Sequence, residues 1–113
     1  MAKPSATSRA ALSLWHARAE AAAATGNAAA EVEAWRNIAS ATGTDSRSWI
    51  NLGRSLLRMN EFEQAQAAYE RALSLVGGNI EAIEELGLIY ERMNRLEALA
   101  LLLERALDLG ISE

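Results

Sequence analysis

The sequence repeats itself every 34 residues. Laying residues 46–79 on 80–113 without a gap brings Leu52 onto Leu86, Gly53 onto Gly87, Arg58 onto Arg92, Met59 onto Met93 and Asn60 onto Asn94. In the same register Glu63, Glu70, Arg71, Ala72, Leu73 and Leu75 meet Glu97, Glu104, Arg105, Ala106, Leu107 and Leu109. A weaker copy precedes these at 12–45, where Trp15 matches Trp49, Ala19 matches Gly53, Gly26 matches Asn60 and Trp35 matches Tyr69. A period of this length implies stacked copies of one supersecondary unit, each burying its apolar face on its neighbours. Function in such a chain belongs to a surface shared by several units. The chain is therefore expected to be a leader, residues 1–11, which includes the start of the first helix, followed by one domain of three repeats, 12–45, 46–79 and 80–113.

Within a repeat, Trp49, Leu52 and Leu56, and then Phe62, Ala65, Tyr69, Ala72 and Leu73, recur at three- and four-residue steps, the spacing of one helical face. The pattern breaks at Met59-Asn60-Glu61, where asparagine tolerates the left-handed backbone that ends a helix, as Gly26 does in the first copy. It breaks again at Gly43-Thr44-Asp45 and Gly77-Gly78-Asn79, where glycine ends one helix and Asp45 or Asn79 caps the next. Helices are predicted over 8–25, 28–41, 46–59, 62–76, 80–93 and 96–109.

Half of the residues are apolar, enough for a continuous core without cross-links, and no cysteine is present to supply a disulfide, a thiol nucleophile or a thiolate metal ligand. A net charge of -4 spread along the chain lacks the clustered basic surface that nucleic acid requires. No apolar run reaches the ~18 residues of a membrane span, and a cytoplasmic protein is expected. Lys3, Arg9 and Arg18 precede the first acid, Glu20, as in a mitochondrial presequence, but Trp15 is already in phase with the repeats and places this segment in the fold.

These residues resemble the tetratricopeptide repeat (TPR) family, whose unit also has 34 residues, with W-x2-L-G-x2-Y in its first helix and A-x3-F-x2-A in its second. The middle copy supplies Trp49, Leu52, Gly53, Leu56, Ala65, Tyr69 and Ala72; the last supplies Ile83, Leu86, Gly87, Tyr90, Leu99, Leu103 and Ala106. The resemblance implies an all-α fold, a right-handed superhelical array of three helix-turn-helix hairpins. Small residues at Gly53, Gly87, Ala19, Ala65, Ala72 and Ala106 would let helices approach closely while aromatics fill the gaps. The chain departs from the family at Arg18 and Glu31, at Leu99 in place of alanine, and in having Gly43 and Gly77 where the connecting turn usually carries proline.

No residue group reads as catalytic. His16 lies one turn before Glu20 without a nucleophile, and Glu81, Glu84 and Glu85 form a solvated helical turn rather than a metal site. Trp15, Trp35 and Trp49 occupy packing positions, and Met59 and Met93 fill space at the turns. The expectation is a protein without enzymatic activity or cofactor.

In the family the first helices of successive repeats line a groove that holds a partner peptide or helix. By repeat position, the groove would present His16 and Glu20, then Arg47, Ile50, Asn51, Arg54, Leu57 and Arg58, then Glu81, Glu84, Glu85 and Leu88. Ile50, Leu57 and Leu88 are expected as exposed apolar anchors, with basic charge on the middle repeat and acidic charge on the last. The acids at Glu20, Glu81 and Glu85 would repel a terminal carboxylate, which excludes the clamp that some family members use for chaperones. The implied function is a protein-binding module or scaffold; the alternative is an accessory N-terminal piece of a larger enzyme such as a bacterial transferase. The last helix, with Leu99, Leu102, Leu103 and Leu109, is expected to self-associate into a homo-oligomer or to be covered by further sequence.

Overall fold

The computed structural model describes residues 8–110, which form six α-helices: α1 (Arg9–Thr25), α2 (Ala28–Thr42), α3 (Ser46–Arg58), α4 (Phe62–Leu75), α5 (Ile80–Arg92) and α6 (Leu96–Asp108). Each helix packs on the next along the chain, giving three antiparallel hairpins in a row with principal extents of 49 × 25 × 25 Å. The leader lies largely outside the described residues. None of the described helices is long and apolar enough to cross a membrane.

The turn inside every hairpin is the same device at the same register. Gly26, Asn60 and Asn94 have φ of 71°, 59° and 57°. After α3, the Asn60 amide donates to the Leu57 carbonyl and the Glu61 amide to that of Leu56, at 2.9 Å each, so the reversal satisfies carbonyls that the helix end would leave open. Arg95 repeats this bond to Tyr90 at 2.7 Å, and Asn27 to Ala22 at 2.8 Å.

Side-chain caps start the first helix of each hairpin. Ser8, Asp45 and Asn79 accept from the amides of Ala11, Arg47 and Ala82 at 3.1, 3.2 and 3.0 Å. Between hairpins the two glycine junctions differ. Gly43 takes φ 67° as expected, whereas after α4 it is Val76, in extended geometry, that leaves the helix, and neither Gly77 nor Gly78 has positive φ.

One core cluster joins α2 to α6, with Val32 of α2, Leu52 and Leu56 of α3, Ala65, Tyr69 and Leu73 of α4, Ala82, Ile83, Leu86 and Tyr90 of α5, and Leu102 and Ala106 of α6. Its tightest contact explains the glycine of the repeat, since a Cβ on Gly53 would lie 2.6 Å from Cε2 of Tyr69. At Gly87 the nearest atom is Leu99 Cδ1, at 3.5 Å, an ordinary contact. The third hairpin is therefore looser than the second at the same position.

Candidate functional site

Ile50 is not an open anchor. It is 0 % exposed and sits in the cluster with Val32, because the approach of α3 to α2 across the first repeat boundary closes over it. Leu57 is half-buried against the same cluster, and Leu88 stands free at 65 % exposure. Two of the three expected apolar anchors thus retain solvent contact, and one belongs to the packing.

The charges of the groove are arranged against one another rather than left for a ligand. Arg47 of α3 pairs with Glu81 of α5 at 3.0 Å; Arg54 pairs with both Glu81 and Glu85, its Nε lying 3.2 Å from Glu85 Oε1. The expected opposition of charge along the array is present, but it is neutralised as a ladder between α3 and α5. Arg58 is also engaged, donating Nε at 3.3 Å and Nη2 at 2.5 Å to the two oxygens of Glu31. Glu31 is buried, so this bidentate pair ties the first repeat to the second and accounts for an acid at a position where the other repeats have Ala65 and Leu99. Glu84, His16 and Glu20 remain exposed, and Asn51 is half-exposed.

Beneath the ladder the Tyr69 hydroxyl and Glu85 Oε2 are both buried without a hydrogen-bond partner among the described residues. Burial, and then the neighbouring Glu85 carboxylate, push the Tyr69 hydroxyl far above its ordinary value, so it stays protonated.

Among the described residues two concavities open on this face at the same register: one of about 270 Å³ lined by Ala23, Gly26, Ala28, Glu31 and Arg58, without large apolar side chains, and a cleft of about 290 Å³ between the C-terminal halves of α3 and α5. Leu57, Phe62, Leu88 and Ile89 supply its apolar wall, and Asn60, Glu85 and Arg92 its polar edge. The Arg92 guanidinium lies over the Phe62 ring, 4.9 Å from its centre, and holds that side of the opening. Sequence reasoning placed Leu57, Glu85 and Leu88 here but missed Asn60, Phe62, Ile89 and Arg92. The available signal was Phe62, the only phenylalanine, set directly after the turn.

The tryptophans keep packing roles with ordered partners. Trp49 donates Nε1 to the Gly43 carbonyl at 3.4 Å, and the His16 ring meets Trp35 edge-on with centres 5.5 Å apart. His16 thus borders an aromatic ring. Among the described residues no three His, Asp or Glu side chains come together as a metal site.

At the other end, the four leucines expected to self-associate divide. Leu102 is buried and Leu99 half-buried against α5, so both belong to the core, while Leu103 and Leu109 are exposed. The helical period explains the division: Leu99, Leu102 and Ala106 share the face that α6 turns to its own hairpin.

Fold and surface together define a helical-hairpin repeat protein. Family models for the tetratricopeptide repeat match residues 46–79 and 82–111, more than half of the chain. The chain belongs to the tetratricopeptide repeat family.

Solved structures extend the likeness in fold to the first hairpin. A chain of the CopN-Scc3 complex superimposes with a TM-score of 0.77 at 22 % identity, over 88 % of this chain and 58 % of that one. A MamA crystal structure matches with a TM-score of 0.75 at 22 % identity, over 91 % of this chain and 55 % of that one. The Arabidopsis OM64 TPR domain gives 0.73 at 19 % identity, over 91 % and 85 %. This chain thus spans less than two thirds of the length of the first two. No curated protein matches it in sequence.

Proposed function

We propose that this protein is a non-catalytic interaction module that holds a helical or extended segment of a partner protein along α1, α3 and α5. The observation that carries the reading is the cleft at Leu57, Phe62 and Leu88. It is the place on this face where large apolar side chains meet water around a concavity, and Leu88 is too exposed to serve the fold. One structural neighbour was solved in a complex, CopN-Scc3, which supports protein binding as a use of such an array.

The ladder alters what the partner must bring. Because Arg47 and Arg54 are already paired with Glu81 and Glu85, a charged ligand has to exchange with these ion pairs, whereas an apolar side chain enters the cleft without breaking any. An apolar anchor, leucine or phenylalanine, next to an acid facing Arg92 fits the site best. Leu88→Asp should abolish binding of such a segment while leaving the chain folded, with the melting temperature lowered only slightly by the new acid one turn from Glu84, Glu85 and Glu91. Retained affinity in that variant would move the site elsewhere.

A further inference from the structure

Two hollows between successive second helices sit at the same register and differ in what fills them. Between α2 and α4 the space is about 160 Å³, walled by Trp49, Leu52 and Leu56 of α3 and bridged where Arg36 donates to Gln64 Oε1 at 2.9 Å. The Arg71 guanidinium lies over the Trp49 ring, 5.8 Å from its centre. One repeat later Ile83 stands in place of Trp49 and Ala98 in place of Gln64. Isoleucine has no ring to fill the space and the alanine methyl cannot bridge it. The hollow between α4 and α6 is accordingly about 520 Å³.

What this hollow lacks has a definite chemistry. Its floor is apolar, with Leu73, Leu86 and Leu102 all buried. At its rim is Arg105, the equivalent of Arg71, with no ring beneath it and no ion pair among the described residues. Where the first hollow has Arg36, the second has Glu70, whose Oε2 receives the Tyr90 hydroxyl at 2.6 Å and Gln66 at 3.0 Å. The other oxygen, Oε1, accepts nothing among the described residues, and Glu104 adds a second carboxylate to the rim. The opening thus presents a guanidinium without its ring and two carboxylates without a cation.

A hairpin following α6 would not fill this space. The first hollow has α5 and α6 beyond it in the array and is still open, with Ala67 of its wall exposed. A free small molecule is also a poor occupant, because Glu70, Ser74, Leu101 and Glu104 are exposed around the opening and would leave one side of it in water. A side chain carried on a polypeptide brings its own backbone to cover that side.

We propose that the hollow between α4 and α6 receives an aromatic side chain of a partner protein, its ring under Arg105 as Trp49 lies under Arg71, with a neighbouring lysine or arginine against Glu70 and Glu104. This surface shares no residue with the α3–α5 cleft and does not depend on it.

The test titrates the peptide acetyl-Gly-Trp-Lys-Gly-amide into the isotope-labelled full chain. The amides of Leu73, Leu86 and Leu102 should shift while those of Leu57 and Leu88 stay in place. Ile83→Trp and Ala98→Gln each give the second hollow a residue of the first, and each should weaken binding about tenfold or more; position 98 is half-exposed, so the glutamine fits without disturbing the core. Arg105→Gln and Glu104→Gln should each weaken it several-fold, and Leu88→Asp should leave it unchanged. Absence of shifts at millimolar peptide, shifts confined to the α3–α5 cleft, or equal affinity for the peptide with leucine in place of tryptophan would overturn the proposal. So would equal affinity for tryptamine, which would give the hollow to a free aromatic amine.

Discussion

Gly53 lies under the ring of Tyr69 so closely that an added Cβ would come within 2.6 Å of Cε2, while at the equivalent Gly87 the same atom would meet Leu99 at 3.5 Å. Alanine favours a helix interior over glycine by roughly 1 kcal/mol, so the outcome at each position depends on whether the neighbour can yield. Tyr69 is fully enclosed and cannot. Gly53→Ala should destabilise by about 1–3 kcal/mol and Gly87→Ala should be neutral or stabilise by up to about 1 kcal/mol, measured as chemical denaturation midpoints. Equal shifts in both variants would contradict this account of the glycine.

The pair of Arg58 and Glu31 predicts an asymmetric cycle. Arg58→Ala leaves a carboxylate buried without its partner and should cost about 2 kcal/mol, discounted from a fully buried pair because the arginine is half exposed. Adding Glu31→Ala, the residue type at the matching place in the second repeat, should restore most of the loss. A double variant as unstable as Arg58→Ala alone would show that the pair is not what binds the first two repeats.

Arg54 belongs to the ladder, so its charge reversal should affect folding as well as binding. Arg54→Glu places a third acid beside Glu81 and Glu85 and should lower stability by about 1 kcal/mol in low salt, with the loss shrinking as salt screens the repulsion. Denaturation at two ionic strengths measures it. A salt-independent effect would mean that the charges do not interact.

Burial, and then its bond to Glu70, push the Tyr90 hydroxyl up to about 12. A tyrosine raised above its ordinary value of ~10 favours the protonated fold, so its contribution is intact below pH ~10 and is lost as pH rises toward 12. Stability should fall over that range, and Tyr90→Phe should flatten the fall while costing about 1 kcal/mol at neutral pH. An unchanged slope would place the titration elsewhere.

The tight turns, the glycine of the second hairpin and the six helices were legible because each depends on residues near in sequence or equivalent in register. The ladder was legible too, but was missed: Arg47 and Glu81 stand 34 residues apart, at the same place in adjacent repeats, and opposite charges there face each other across parallel helices. The burial of Ile50 was not legible, since His16 and Glu84 occupy its register elsewhere and only the approach of α2 to α3 closes over it. Position within the unit gives the direction of a side chain. What covers it depends on the neighbouring unit, and the three units here differ.

If the protein works as proposed, the α3–α5 cleft receives an apolar side chain from a partner protein. The most direct test is selection of binders from a random peptide library displayed against the full chain, followed by affinity measurement for the chain and for Leu88→Asp and Leu103→Glu. The account predicts selected peptides with a leucine or phenylalanine anchor beside an acid, lost by about tenfold or more in Leu88→Asp and retained in Leu103→Glu. Peptides without an apolar anchor, or with affinity indifferent to Leu88, would contradict it.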